Sequence, residues 1–437
     1  MVMNELFWLG VVWVVGIALL AWWRLEMAIV VLLATVPIFL IRLSIFGVPT
    51  TLLELGIYAC AGVWGMRHLP TKHWRPLFSM FRGMFSGVRV PLGLWLSWTV
   101  FSALFAPDLQ TSFGILKGWF VDPLLLLLMV ADLLSAARLT SVRIILSLGI
   151  GAVAVGGFGL VDLWSEIGKI KIPGRLDSFY ESANYVSLYL GPILVLWLGM
   201  LFGRWKILSW LKRGMILGGM AVMGVALLFK QSFGGWMSAG FASVFLIGVF
   251  AIHIERIRWM GGVGLLVLVL ATGGYAATQG FSHYNERFQI SSLDTRCDLW
   301  IGAWGLIQEQ PILGQGLGAF RGAYPAYVNA HPQDFPYYVD LYNALWPHQL
   351  YLAIWVESGG LALFGFLWLI VAWARRQGQA YWKGREWIFA ASLAAMLAIF
   401  LHGWVDTPYF KNDLSVLFWI VFLLPLIVPS EQIRATS

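Results

Sequence analysis

The sequence HQLYLAIWVESGGLALFGFLWLIVAWARR, residues 348–376, decides the class of fold. It starts at a histidine, ends at two arginines and is apolar almost throughout between them. A helix of roughly 20 apolar residues crosses the hydrocarbon core of a bilayer, so this stretch predicts a transmembrane helix. Its one carboxylate, Glu357, is costly at membrane depth and therefore indicates a cavity or a polar partner.

Similar apolar runs recur along the chain. They lie near residues 5–23, 27–41, 48–66, 90–106, 118–135, 143–163, 184–202, 214–230, 235–252, 260–278, 386–405 and 414–430. The first two are joined only by a few residues around Arg24, which allows either a tight hairpin or one span counted twice. Only 12% of the 437 residues are charged and the mean hydropathy is +0.77, whereas a soluble domain is about 25% charged. We therefore predict an all-α integral membrane protein with about 12–14 transmembrane helices, in which residues 1–437 form a single polytopic membrane domain.

Basic residues are concentrated in alternate linkers between these runs. They are Arg67, Lys72, Arg75, Arg82, Arg89, Arg138, Arg143, Arg204, Lys206, Lys212, Arg213, Arg256, Arg258, Arg375, Arg376, Lys383 and Arg385. The positive-inside rule places those linkers in the cytoplasm. The extracytoplasmic side then holds the loop at 164–183, a long loop at 279–347 and the turn at 406–413. This arrangement accounts for the net charge of +7 without a nucleic-acid partner.

The long loop, residues 279–347, is predicted to contain short helices. From about residue 294 to 309, apolar side chains recur at steps of three and four, which is typical of one helical face. Ser292 or Asp294 can cap the start of this helix, and Pro311 ends it before a glycine-rich turn. Such a helix would lie on the membrane surface or dip into it.

Arginines on the predicted extracytoplasmic side indicate an anionic ligand. The shorter loop carries Arg175, and the basic residues of the long loop are Arg287, Arg296 and Arg321. Arginine binds phosphate or carboxylate through two parallel hydrogen bonds. A single arginine is more simply explained as a surface charge or a weak ion pair with a neighbouring carboxylate. For the set as a whole, placed beside a bilayer, an anionic headgroup is the better-supported partner.

His348 lies where the long loop re-enters the membrane. An imidazole there can act as a base, an acid or a hydrogen-bond anchor near neutral pH. The alternative is an interfacial histidine that only reaches for water, and His283, His331 and His402 compete for the same role. Asp406 could orient a histidine or pair with an arginine, or it could cap its own turn.

Several other chemistries have no support in the sequence. It contains no phosphate-binding GxxxxGK[ST] motif and no extracytoplasmic Asp-x-Asp cluster that would bind a divalent cation. Its two cysteines, Cys60 and Cys297, form no CxxC spacing. We therefore expect the protein to use no soluble nucleotide donor, no metal and no cofactor.

Four segments of the chain follow one another in a familiar order. They are GRLDSFYESANYVSLYLGPI at 174–193, TRCDLWIGAWGLIQEQPILGQGLGAF at 295–320, HQLYLAIWVESGGLALFGF at 348–366 and HGWVDTPYFKNDLSVLFWIVFLL at 402–424. Their order, the length of the loop between them and their predicted side of the membrane resemble the O-antigen ligase and O-antigen polymerase superfamily.

The resemblance implies a glycosyltransferase that acts among membrane lipids, on the extracytoplasmic face of the plasma (inner) membrane of a bacterium. Its donor would be a glycan on undecaprenyl diphosphate, and its acceptor another lipid-anchored glycan. By this resemblance His348 would be the base, while Arg175 and Arg296 would hold the diphosphate. The supporting substrate-binding residues would be Arg287, Asp406, Asn184 and Glu357.

Two departures and three alternative activities accompany the resemblance. The chain has Ser232-Phe233-Gly234-Gly235 where the family usually has Ser-Arg-Gly, and Ala183 where proline is frequent. The shared motifs fit a ligase, a polymerase that extends the glycan on its carrier, or a branch that glycosylates proteins. The histidine in the long loop, with an arginine in each outer loop, favours the ligase. A transporter of lipid-linked sugars is the alternative from another class, although few charges lie within the spans.

Overall fold

Helices make up nearly all of the structure, as the apolar runs predicted. The computed structural model describes residues 2–45, 48–68, 74–166, 180, 183–229, 232–252, 284–285, 290–335, 344–384 and 386–427. The helices of this part are α1 (Val2–Ala34), α2 (Leu52–His68), α3 (Trp74–Met84), α4 (Arg89–Leu104), α5 (Leu109–Leu116), α6 (Asp122–Ser135), α7 (Ser141–Glu166), α8 (Ala183–Arg204), α9 (Trp210–Phe229), α10 (Phe233–Ala251), α11 (Ser292–Glu309), α12 (Phe320–Ala330), α13 (Leu350–Gly384), α14 (Trp387–His402) and α15 (Asn412–Leu423). The strands are β1 (Arg42–Ile45), β2 (Val48–Thr51), β3 (Tyr284–Asn285) and β4 (Ile290–Ser291). The predicted all-α membrane fold is confirmed.

Seven helical segments of the described residues are long and apolar enough to cross a membrane. They are Trp8–Ala34, Leu109–Ser135, Ser141–Val161, Asn184–Arg204, Trp210–Phe229, Phe233–Ala251 and Leu350–Gly384. The predicted span at 260–278 lies outside the described residues. The other predicted runs form helices shorter than 18 residues, such as α2, α4 and α14. This explains why the described part contains fewer full-length spans than the hydropathy predicted.

α1 folds back on itself at Arg24, whose backbone is extended (φ −143°, ψ 94°). On one side of this break, Trp13 donates from Nε1 to the carbonyl of Leu52 (2.9 Å). A Cβ on Gly56 would lie 3.1 Å from Trp13 Nε1 and 2.5 Å from Leu32 Cδ2. A continuous helix would separate residues 13 and 32 by about 28 Å, so the two halves of α1 must run side by side along α2. The tight hairpin that the sequence allowed is therefore present.

The run predicted at 48–66 becomes helical later than expected, because its first residues form β2. β2 pairs antiparallel with β1, with Arg42 opposite Thr51, and its valine and threonines are residue types that favour strands. α2 then begins with a capping box. Thr51 Oγ1 accepts the N–H of Glu54 (3.2 Å), while Glu54 Oε2 accepts the N–H of Thr51 (3.2 Å).

The residues between the apolar runs predicted at 90–106 and 118–135 are mostly helical, which corrects the hydropathy reading. α5 begins directly after Asp108, whose Oδ1 accepts the N–H groups of Gln110 (3.0 Å) and Thr111 (3.2 Å). Such a cap allows the helix to start before the apolar run begins. The hydropathy window located the apolar run but missed this earlier start.

α5 and α6 are joined by a π-helical turn, Lys117–Val121. Pro123 follows this turn, and because proline has no N–H it cannot donate to the carbonyl of Trp119, four residues earlier. Tyr409 Oη donates to that carbonyl instead (2.8 Å). The irregular turn therefore ties α6 to the segment between α14 and α15.

The two ends of the helix bundle differ in charge. At one end, Arg67 donates to the carbonyls at the break in α1, Arg138 pairs with Glu26 (2.7 Å), and Arg376 donates to the carbonyl of Ser86 (3.0 Å). All three arginines belong to the linkers predicted to be cytoplasmic, although the structure places Arg376 on α13, which continues to Gly384. The first residue of α13 lies at the opposite end of the bundle.

α11 and α12 of the long loop pack on the first half of α13. Their shared apolar core is formed by Leu299, Ala303, Leu306, Ile307, Phe320, Tyr324, Ala344 and Val356. The helix predicted from about residue 294 is thus confirmed as α11, whereas α12 had no prediction. The packing fixes the long loop above the bundle at the end opposite the basic residues.

Candidate active site

His348 lies between the long loop and α13, in a backbone conformation that non-glycine residues seldom adopt. Its φ is +47°, in the left-handed region. The adjoining residues hold it there. Gln349 Oε1 accepts the N–H of Leu352 (2.5 Å), and the N–H of Leu350 donates to the carbonyl of Gly403 (2.8 Å). Residues in sparsely populated backbone regions persist only where the surrounding packing maintains them, and they cluster at functional sites.

His348 and Asp406 form a hydrogen-bonded dyad. His348 Nδ1 lies 3.1 Å from Asp406 Oδ1, and the same oxygen accepts the N–H of Thr407 (2.9 Å). The aspartate side chain is 2% exposed and the histidine side chain 32% exposed. Because an ionised carboxylate can only accept, Nδ1 carries the proton, and Nε2 of the neutral ring has the available lone pair. The dyad thus combines a buried anchor with a partly exposed base.

Arg296 is within electrostatic reach of the dyad. Burial alone would raise the pKa of Asp406, but the hydrogen-bonded contact with His348 and the positive charge of Arg296 together lower it by more. The pKa of Asp406 is therefore held below its usual range, so this carboxylate is ionised at neutral pH. Since Arg296 lies near the start of α11, the packing of the long loop brings this cation to the dyad.

Glu357 is fully buried in α13 and contacts the long loop. Its Oε2 accepts the N–H of Gly318 (3.1 Å), two residues before the start of α12. Its Oε1 has no hydrogen-bond partner among the described residues. The carboxylate therefore faces a turn of the protein backbone.

The remaining predicted site residues lie at the edge of the described site or outside it. Arg175 and Arg287 are outside the described residues. Asn184 is partly exposed in the first turn of α8. The ring of its neighbour Tyr185 lies 3.3 Å from Nζ of Lys411, in the turn that follows the dyad. The start of α8 thus contacts the turn that carries Asp406.

The competing histidines have different surroundings. His331 ends α12, with Nδ1 at 3.1 Å from the carbonyl of Tyr327 and its ring stacked on that side chain. His402 is buried, and a Cβ on Gly234 would lie 3.1 Å from its Cδ2. His402 therefore packs against the start of α10, where the sequence departs from the Ser-Arg-Gly pattern. His283 lies outside the described residues.

Residues 218–367 match the family model described as O-antigen ligase. This part of the chain is similar to the O-antigen ligase family. A curated relative, the O-antigen ligase of Salmonella typhimurium, is 25% identical over 315 residues, which are 68% of this chain and 70% of that protein. The resemblance inferred from the four sequence segments is thereby confirmed.

The residues that match the family model contain part of the site but not all of it. Arg296, His348 and Glu357 lie within the matched residues, on α11, before α13 and in α13. Asp406 and Asn184 lie outside them. The dyad therefore joins the matched residues to the turn between α14 and α15.

An aromatic cluster beside the dyad was missed by the sequence reasoning. Trp346, two residues before His348, stacks on Phe410 with ring centroids 5.3 Å apart and planes 2° apart. Trp119 lies 5.3 Å from Trp346 and 5.6 Å from Phe410. Trp346 could have been selected for its position next to His348, but its partners come from distant parts of the chain.

A buried polar network borders this aromatic cluster. Glu54 accepts hydrogen bonds from Lys117 Nζ (2.5 Å), Asn412 Nδ2 (2.8 Å) and Thr50 Oγ1 (2.7 Å). Asn412 in turn lies 3.3 Å from Nε1 of Trp119. Three separate segments supply these residues, so no local motif could have revealed the network.

Metal binding by protein side chains needs several ligands at one point. Within the described ranges, no group of three or more His, Cys, Asp or Glu side chains is placed to hold a metal ion.

Proposed function

We propose that the protein is a membrane glycosyltransferase of the O-antigen ligase type, which moves a glycan from undecaprenyl diphosphate to a lipid-anchored acceptor. The observation that carries this proposal is the His348–Asp406 dyad with Arg296 within electrostatic reach. A base and a cation at one place are what transfer from a diphosphate requires. The match to the O-antigen ligase family model supports the choice of this reaction class.

In the proposed step, His348 Nε2 removes the proton from an acceptor hydroxyl. The acceptor oxygen forms a bond to the anomeric carbon of the donor glycan, while the bond from that carbon to the diphosphate oxygen breaks. The electron pair of the broken bond leaves with the diphosphate, which stays on its lipid. The ionised Asp406 stabilises the imidazolium that forms and fixes the ring orientation.

Arg296 would stabilise the negative charge that develops on the departing diphosphate. Its fixed position on α11 supports this role, since preorganised charges contribute most where charge appears in the transition state. Arg175 and Arg287 are proposed as further cations for the same group, and Asn184 as a substrate contact at the start of α8. The reaction would need no metal ion, because the arginines would supply the positive charge.

The proposed orientation places the dyad at the extracytoplasmic face of a bacterial plasma membrane. The arginines of the predicted cytoplasmic linkers gather at the other end of the bundle, around Arg67, Arg138 and Arg376, which favours this orientation. Donor and acceptor would then both be lipids of the outer leaflet.

The direct test uses the purified full-length protein in liposomes with a glycan on undecaprenyl diphosphate and a lipid-anchored sugar acceptor. We expect transfer by the wild type, no detectable transfer by His348→Ala, and normal transfer by the matched control His331→Ala. Mass spectrometry of the extracted lipids identifies the product.

Three other results would overturn the proposal. A carrier lipid with a lengthened glycan and an unmodified acceptor would identify a polymerase. Movement of the donor across the bilayer without any product would identify a transporter. Full activity of His348→Ala would remove the proposed base.

A further inference from the structure

α13 is interrupted at Gly359 (φ +82°, ψ 170°), and the long loop completes the interrupted hydrogen bonding. In a continuous helix the N–H of Gly360 would donate to the carbonyl of Val356. Here it donates to the carbonyl of Pro311 (2.9 Å), while the carbonyl of Val356 accepts the N–H of Gln315 (2.7 Å). The loop backbone thus takes the place of the missing helical partners.

The docked segment, residues 311–318, makes further contacts around the break. The carbonyl of Glu357 accepts the N–H of Gly316 (3.1 Å) and Oγ of Ser102 (2.7 Å). Trp98 of α4 donates from Nε1 to a carbonyl of the docked segment (3.1 Å). Irregular backbone in a membrane-spanning segment is stable only where protein groups satisfy it, and the docked segment supplies those groups.

The close approach explains the glycines on both sides of the contact. Gly316 (φ +108°) has no room for a Cβ, which would lie 2.6 Å from Cα of Ala106. A Cβ on Gly318 (φ +83°) would lie 2.7 Å from Cδ1 of Ile115, and one on Gly359 would collide with the loop backbone. Glycine is the residue that accepts both these positive φ angles and these distances.

We infer that Glu357 is a positioning residue: its carboxylate fastens the docked segment to α13 and thereby sets Arg296 of the long loop against the His348–Asp406 dyad. The inference rests on the proposed function and assigns Glu357 an indirect role in place of the substrate contact that the sequence suggested. Its Oε2 binds the N–H of Gly318, at the exit of the docked segment.

A short piece of α13 links the His348–Asp406 dyad to the contact between Glu357 and the docked segment. Residues 350–358 run from the dyad to the break, and Val356 within them packs into the core of α11 and α12. The same nine residues therefore adjoin His348 at one end and the docked segment at the other. Releasing the docked segment would let α11, with Arg296, move relative to His348.

The test compares Glu357→Gln with Glu357→Leu in the full-length protein. Glutamine keeps an oxygen that can accept the N–H of Gly318, whereas leucine does not. Hydrogen exchange of the peptide spanning 311–320 reports docking independently of activity. We expect faster exchange and a roughly 100-fold lower kcat in the leucine variant, with near-normal values of both in the glutamine variant. Asp334→Leu, which changes an exposed carboxylate of the same loop outside the docked segment, is the matched control.

Gly316→Ala provides a second route if the leucine variant fails to fold. It disturbs docking from the loop side and leaves α13 unchanged. We expect the same combination of faster exchange at 311–320 and reduced transfer, with exchange of α14 and α15 unchanged.

Distinct results would overturn the inference. Unchanged exchange in both Glu357→Leu and Gly316→Ala would show that the docked segment does not depend on this contact. Faster exchange with normal transfer would show that docking does not position Arg296. Loss of transfer in Glu357→Gln with normal exchange would assign the carboxylate a direct role. If the wild type transfers no glycan, the proposed function fails, while the exchange result still decides whether Glu357 holds the loop.

Discussion

Replacing Asp406 by asparagine removes the negative charge from beside His348 while keeping a side chain of similar shape. The 3.1 Å contact between Asp406 Oδ1 and His348 Nδ1 becomes a neutral hydrogen bond. A hydrogen bond to a charged group contributes about 1.5–3 kcal/mol. If that energy is lost when the imidazolium forms, the rate falls by about 10- to 150-fold, since about 1.4 kcal/mol corresponds to a tenfold change.

The effect of Asp406→Asn should appear in kcat for transfer between defined lipid-linked substrates, with little change in KM. The pKa of Asp406 is below its usual range, so the carboxylate stays ionised above about pH 4. Its contribution is present throughout neutral pH and is lost only as the pH falls through the lowered pKa. The Asp406 carboxylate therefore does not itself titrate between about pH 6 and 8.

The chain offers a matched control for this variant. His68 and Asp132 form another histidine–aspartate contact, 3.3 Å long, at the basic end of the bundle. Asp132→Asn should leave transfer unchanged if it folds normally. A loss below about threefold in Asp406→Asn, or an equal loss in Asp132→Asn, would refute the role assigned to the dyad.

Three further predictions follow from other parts of the site. Arg296→Lys should retain the positive charge but lose bidentate binding of phosphate, so the transfer rate should fall at least about tenfold. Arg296→Ala should lower the rate further, and equal rates for the two variants would contradict the prediction. Trp346→Ala should raise KM for a lipid-linked glycan more than it lowers kcat, because it removes a partly exposed ring from the aromatic cluster beside the dyad. The control is Trp382→Ala, which changes an exposed ring near the basic end of α13. Burial raises the pKa of Asp298 to about 6, so ionisation of this carboxylate destabilises the fold above that pH. Asp298→Asn should therefore raise the unfolding temperature at pH 8 but not at pH 4, with a gain of at most about 3 kcal/mol in the free energy of unfolding. Thermal unfolding in detergent at the two pH values is the measurement, and a pH-independent difference would contradict the prediction.

The sequence predicted the features that depend on local pattern. The apolar runs predicted the membrane helices, and the steps of three and four predicted α11 to within about two residues. The position of His348 beside a span, and of Asp406 in a turn on the same face, was also visible in the sequence. The motif order added the family, which composition alone could not indicate.

Features that depend on distant contacts were not predictable. Glu357 was correctly identified as a carboxylate that needs a partner, but that partner is the N–H of Gly318, a backbone group that no side-chain motif reveals. The break at Gly359 is stable because residues 311–318 fill it, and hydropathy reads the same residues as one uninterrupted span. Thr51 and Glu54 begin α2 inside a run that looked helical from its first residue, because an apolar strand and an apolar helix have the same hydropathy.

The turn that carries Asp406 has a consequence for how substrates enter. Tyr409 is 1% exposed, donates to the carbonyl of Trp119 (2.8 Å) and accepts from Nε1 of Trp419 (3.1 Å). This half of the site is anchored in the aromatic interior, so it has little freedom to open. The proposed reaction requires two bulky lipid-linked sugars to arrive and depart at each turnover. We expect the opening motion to come from α11 and α12, which would make the admission of substrate and the arrival of Arg296 at the dyad two parts of a single movement.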